Sequence, residues 1–202
     1  MTPRRHDPDR RARIVDAAVA VLGRGGIAAL SHRAVAAEAD VPLGSTTYHF
    51  SSLDDLLLAA LRRIDAAWLA GIARWSDGVR PGVPLADELT GLVGELLGRG
   101  RDVLQAEYEL YLAGLRREPL RQLATECLDA MAALLRRHTA DEATARTLVA
   151  LLDGLILRCL LTSGPYDRDE IRAAFARVTG ESPSAHAGPD GTGPGSPGSG
   201  GG

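Results

Sequence analysis

The 202-residue sequence predicts an all-α chain of about nine helices, in which an N-terminal three-helix unit with a helix-turn-helix precedes a larger helical domain. Three observations predict it. Residues Ser31 to Phe50 read as two short helices joined by a tight turn, the second rich in small hydroxyl side chains and tipped by Tyr48, His49 and Phe50. Apolar residues recur at three- and four-residue steps from Asp9 to about residue 178. No segment alternates apolar and polar residues as a half-buried strand would, and no internal repeat is present.

The elements follow in order. The first helix is expected from Asp9, because Ile14, Ala17, Ala18, Val21 and Leu22 share a face, and Gly25-Gly26 is expected to stop it. Ser31 is the natural N-cap of the second helix, which turns Val35 and Ala36 inward. Asp40-Val41-Pro42 makes the turn, with Pro42 expected at the first position of the third helix, where a missing N–H costs nothing. Ser51-Ser52 caps the fourth helix, and Asp54 and Asp55 sit near its positive end. Its stripe of Leu57, Leu61, Ile64, Trp68, Ile72 and Trp75 carries it to about residue 75, before a Gly/Pro loop from Ser76 to Pro84. Further helices are expected at 85–98, 101–117, 120–138, 142–163 and 168–178. Arg99-Gly100, Glu118-Pro119, Thr139-Ala140-Asp141 and Ser163-Gly164-Pro165 punctuate them. The resulting division is a flexible N-terminus over 1–8, the helix-turn-helix unit over 9–51, a helical domain over 52–180 and a disordered Gly/Pro/Ser tail over 181–202.

A net charge of −3 excludes a globally basic nucleic-acid coat, although a localised reader needs only basic groups on one face. Lysine and asparagine are both absent, which reads as a bias toward GC-rich codons. Cys127 and Cys159 form no CxxC pair and suggest a reducing, cytoplasmic setting. Met1 to Arg13 lacks the apolar segment of a secretory signal. The longest apolar stretch, Leu148 to Leu161, is interrupted by Asp153 and Arg158 and is shorter than the roughly 20 residues of a membrane span. No catalytic constellation, HExxH motif or ligand-spaced His/Cys set is present, so neither catalysis, nor a metal, nor a cofactor is expected. Gly193 to Gly198 fits GxGxxG literally, yet it follows no strand and precedes no helix.

The reader helix carries its own chemistry. Leu43 could press on a thymine methyl and Ser45 could reach a base or phosphate; Thr46 either contacts DNA or points inward. Gly44 is explained by close backbone approach to DNA, since a helical glycine otherwise costs about 1 kcal/mol. Ser31 and His32 lie at a helix N-terminus, where backbone N–H groups already favour phosphate.

From Ala39-Asp40-Val41-Pro42-Leu43-Gly44-Ser45-Thr46-Thr47-Tyr48-His49-Phe50 through Ser51-Ser52-Leu53-Asp54-Asp55-Leu56, the chain resembles the TetR family of one-component repressors. Three positions depart from that pattern. Asp40 replaces the usual turn glycine, Thr47 stands where a tyrosine is common, and Leu53 where a lysine grips phosphate. The resemblance implies that Arg33 reaches bases through its guanidinium fork and that Thr47, Tyr48 and His49 contact phosphates. It also implies a homodimer on a palindromic double-stranded DNA operator, released by a small-molecule effector in the second domain, with the fourth helix as lever.

Candidates for that second domain stay double-edged. Trp68 is either core or pocket. Glu107, Tyr108 and Tyr111 either line a cavity or belong to a solvated face, and Cys127 and Met131 either line it or fill the core. The all-round apolar stretch suggests a helix packed on its own core and on its twin, placing Leu148, Leu152, Asp153, Gly154, Ile156, Arg158 and Cys159 at a dimer interface. Ile171 and Phe175 of the last helix would complete a four-helix bundle between subunits. Two other functions compete: a DNA-bound adaptor whose second domain binds a protein, and, more weakly, a helical enzyme or carrier.

Overall fold

Among the described residues there are nine α-helices: α1 (Arg10–Ala29), α2 (His32–Glu38), α3 (Leu43–His49), α4 (Leu53–Gly78), α5 (Leu85–Gly98), α6 (Arg101–Ala113), α7 (Glu118–Leu135), α8 (Glu142–Thr162) and α9 (Arg168–Thr179). This is a computed structural model, and it describes residues 9–162 and 166–182. The flexible segment expected over 1–8, the break at Ser163-Gly164-Pro165 and the tail beyond residue 182 lie outside the described residues. Among the described residues there is no strand, and no helix is long and apolar enough to cross a membrane.

Local chemistry sets the boundaries. Gly25-Gly26 does not end α1 but kinks it, and helix resumes to Ala29. Gly26 takes φ 62°, and a Cβ on Gly25 would lie 2.6 Å from that of Ala29, so both sites require glycine. Ser31 Oγ accepts the Ala34 N–H at 3.1 Å and caps α2. Asp40 turns the chain at φ 51°, the one positive φ outside glycine among the described residues; its short polar side chain tolerates that left-handed geometry. Pro42 is the N-cap of α3, one residue before the expected place. Ser52 caps α4 through the Asp55 N–H at 3.0 Å. α4 runs through Ser76 to Gly78, past the expected loop start, because Ser76 Oγ is held by His138 Nε2 at 2.8 Å. The helix expected over 101–117 ends at Ala113 in a single 3-10 turn over Gly114–Arg116. α7 begins two residues early, since Pro119 fits its first turn, and yields to a 3-10 turn at Arg136–His138.

The helices enclose two cores. The first joins Ile14, Leu22, Val35 and Phe50 of the N-terminal unit to Leu56, Leu57 and Leu61 of α4 and to Leu120 and Leu123 of α7. The second gathers Leu89, Leu104, Leu135, Leu148, Leu152, Ile156, Ile171 and Phe175. α4 belongs to both, from Leu56 in the first to Ile72 in the second. Glu181 corrects the tail boundary: its carboxylate accepts the N–H groups of Leu85 and Ala86 at 2.7 and 2.9 Å, capping α5.

Candidate functional site

α2 and α3 present one exposed face. Ser31, Arg33, Leu43, Gly44, Thr47 and Tyr48 lie open on it, Tyr48 at 85% exposure. Ser45 and His49 are half-buried, and the Tyr48 and His49 rings meet edge to face at 5.2 Å. His32 is half-buried, with Nδ1 lacking a partner among the described residues. Thr46 must be withdrawn from the DNA set. It is fully buried, and its hydroxyl donates to the Leu43 carbonyl at 2.8 Å, satisfying it inside the subunit. Among the described residues, nothing beyond its own helical backbone and chain neighbours comes within 4 Å of a Cβ built on Gly44, so their packing does not demand glycine there. Leu53 is exposed at the start of α4, beside this face.

The second set converges. Trp68, Glu107, Tyr108, Tyr111, Cys127 and Met131 all line one cavity of about 100 Å³ between α4, α6, α7 and α8. The Trp68 indole N–H donates to Met131 Sδ at 3.2 Å, and the Tyr108 hydroxyl donates to Asp153 Oδ1 at 3.1 Å. Tyr108 and Tyr111 meet edge to face at 6.3 Å. Leu61, Leu120 and Leu123 line the same cavity while belonging to the N-terminal core.

A family profile described as bacterial regulatory proteins, tetR family, matches residues 14–60, and one described as tetracyclin repressor-like, C-terminal domain, matches residues 83–181. EbrR, a multidrug binding protein crystallised with ethidium, is 52% identical, over 86% of this chain and 99% of that one, with a TM-score of 0.76. The chain belongs to the TetR family. The nicotine-responsive transcriptional repressor HdnoR of Paenarthrobacter nicotinovorans is 25% identical over 161 residues, 74% of this chain and 83% of that protein. The transcriptional repressor KstR of Mycolicibacterium smegmatis is 45% identical over 62 residues, so the chain spans only 30% of that relative. This TetR-family protein is a ligand-responsive, DNA-binding transcriptional repressor.

The electrostatics of the regulator's cavity centre on carboxylates. Asp65 lies in the wall and makes no hydrogen bond or ion pair among the described residues; desolvation pushes its pKa up to about 6, against a weaker pull from Arg62. Asp153 is also raised by desolvation, partly offset by the Tyr108 hydrogen bond. Burial, reinforced by Asp65 and Asp153, pushes the Cys127 thiol up to about 12, so it stays protonated. Desolvation first, then Asp153, raises Tyr108 and Tyr111 as well. Sequence reasoning missed Asp65, although a signal existed: it stands four residues after Leu61 and three before Trp68, a carboxylate on the apolar stripe of α4.

Most of the expected dimer residues of this TetR-family chain need correcting. Leu148, Leu152, Ile156, Ile171 and Phe175 are at most 1% exposed and packed in the subunit's own core, leaving no surface for a twin. Asp153 faces the cavity. Arg158 pairs with Glu170 of α9 at 2.8 Å, within one subunit. Cys159 is half-buried against the same core, while Gly154 is exposed on the outer side of α8, where Leu161 is 75% exposed.

Proposed function

We propose that this regulator binds a palindromic operator as a homodimer in the cytoplasm, acting as a switch and not a catalyst, and that an aromatic cation releases it. One observation carries the switch: Leu61, Leu120 and Leu123 are at once cavity wall and part of the reader's core. A molecule that spreads this wall repacks the base of the reader, so it binds the DNA-competent and DNA-incompetent forms with different affinity. A coupling of about 1–3 kcal/mol suffices for fivefold or greater release. Asp65, Asp153 and Glu107 among Trp68, Tyr108 and Tyr111 favour a positively charged aromatic guest. That EbrR has been crystallised with ethidium, proflavin and malachite green supports the same class.

Pairing subunits through the outer faces of α8 and α9, around Gly154 and Leu161, would set two reader helices about 34–36 Å apart or more, for two half-sites. Fluorescence anisotropy on DNA from the protein's own promoter tests the reading. Salt-sensitive, sequence-selective binding by a dimer is expected, with release by tetraphenylphosphonium, a cation that does not intercalate. Binding indifferent to this cation would defeat the effector class, and binding indifferent to sequence would defeat the operator reading.

A further inference from the structure

The cavity shares Ile64, Trp68 and Glu107 with a much larger cleft on its outer side, of about 1120 Å³, bounded by α1, α4, α5 and the middle of α6. Trp68 is the partition between them. From the cavity side Met131 Sδ holds its indole N–H at 3.2 Å. From the cleft side the Arg99 guanidinium lies over the indole, 5.8 Å from its ring centroid, and forks onto Glu107 at 2.7 and 3.3 Å. Arg99 lines the cleft and not the cavity. It ends α5, just before Gly100 turns the chain into α6 at φ 107°.

We propose that Arg99 is a specificity-determining residue: a tethered cation that holds the Trp68 face and the Glu107 carboxylate until an aromatic cation from the cleft takes its place. This rests on the reading that the effector is such a cation. The exchange is symmetrical in kind, because a protonated or quaternary aromatic offers Trp68 and Glu107 what the guanidinium offers them. It is feasible, because the Arg99–Glu107 pair is 41% and 25% exposed, and pairs open to water are easily displaced. Geometry favours it: Trp68 lines both the cavity and the cleft, so its movement would join the two into one site roomy enough for a fused-ring dye. A neutral aromatic returns nothing to Glu107 when it unseats Arg99, so the exchange selects for charge.

Stopped-flow fluorescence of ethidium binding to the DNA-free protein tests this, comparing wild type with Arg99→Met, which retains the stem and loses the charge. Arg99→Met is expected to associate faster and bind about two- to fivefold tighter, the size of a lost exposed ion pair. Arg99→Lys, charged but unable to fork, is expected between the two and carries the test if Arg99→Met does not fold. A purely structural tie would instead give weaker ethidium binding together with a lower Tm. Unchanged or weaker binding in both variants, with ethidium bound by wild type, overturns the competitor role alone. Failure of wild type and variants alike to bind ethidium overturns the cation reading and this inference with it.

Discussion

Thr46 and Asp153 are both polar side chains set among apolar neighbours, and the two regions that hold them treat them in opposite ways. Thr46, at the heart of the reader, spends its hydroxyl on the Leu43 carbonyl and is closed to everything outside. Asp153, which lines the same hollow as Asp65, carries a raised pKa and, among the described residues, accepts from only one tyrosine hydroxyl. A reader must hold its shape on DNA, so its polar groups are satisfied internally. A sensor must have something left to gain, and carboxylates drawn out of water supply it.

Experiments that break this contrast come in order of size. Phe50→Ala should cost the reader about 3–5 kcal/mol in urea unfolding, because Phe50 is 3% exposed in a packed core. The same assay on a cavity-wall change, Cys127→Ser, should show a far smaller loss, since that wall already borders empty space. Arg33→Ala should relax preference at one base pair by about 1–3 kcal/mol, whereas Tyr48→Phe should weaken all sequences evenly, as anisotropy on a mutated-operator panel will report.

The cavity should answer to pH. Desolvation raises the Asp65 carboxyl from its ordinary 3.8 to about 6 in the folded state, so it favours the folded state at low pH. Its contribution to stability therefore falls as pH rises from about 4 to about 6 and stays low above that. Cation affinity runs the other way and weakens as pH drops through about 6; Arg62 and Cys127 interact with Asp65, and Glu107, Tyr108, Tyr111 and Asp153 line the same cavity. Asp65→Asn should lower ethidium affinity about tenfold at pH 7.5 and flatten that profile, leaving DNA affinity intact. The smallest effect belongs to the reader's rim: Leu53→Lys should steepen the log–log salt dependence of DNA binding by about one.

The reader was legible because short-range rules govern it. Ser31 and Ser52 cap the helices that follow them, and Asp40 takes the left-handed turn. The cavity residues on α4, α6 and α7 were legible as candidates, since aromatic and soft side chains at helical spacing mark a face. Which faces meet was not legible. Periodicity around Leu148 to Leu161 reveals that α8 is apolar on several sides, but whether a neighbour is α5, α9 or a second subunit depends on tertiary packing. Asp153 went to the wrong neighbour for that reason. Thr46 was misplaced because a small hydroxyl residue suits a buried helix position and a phosphate contact equally well.

Glu181 joins the end of α9 to the first turn of α5 by two hydrogen bonds. The stretch 85–181 therefore begins and finishes at the same spot, nearly coincident with the span of the C-terminal family profile. Segments whose ends meet are the ones that gene rearrangement can graft between hosts or reopen elsewhere along their length with little disturbance to the rest. A single acidic side chain thus closes the α5–α9 stretch on itself, while α4, which carries Asp65 and Trp68, stays outside that closed stretch and joins it to the reader.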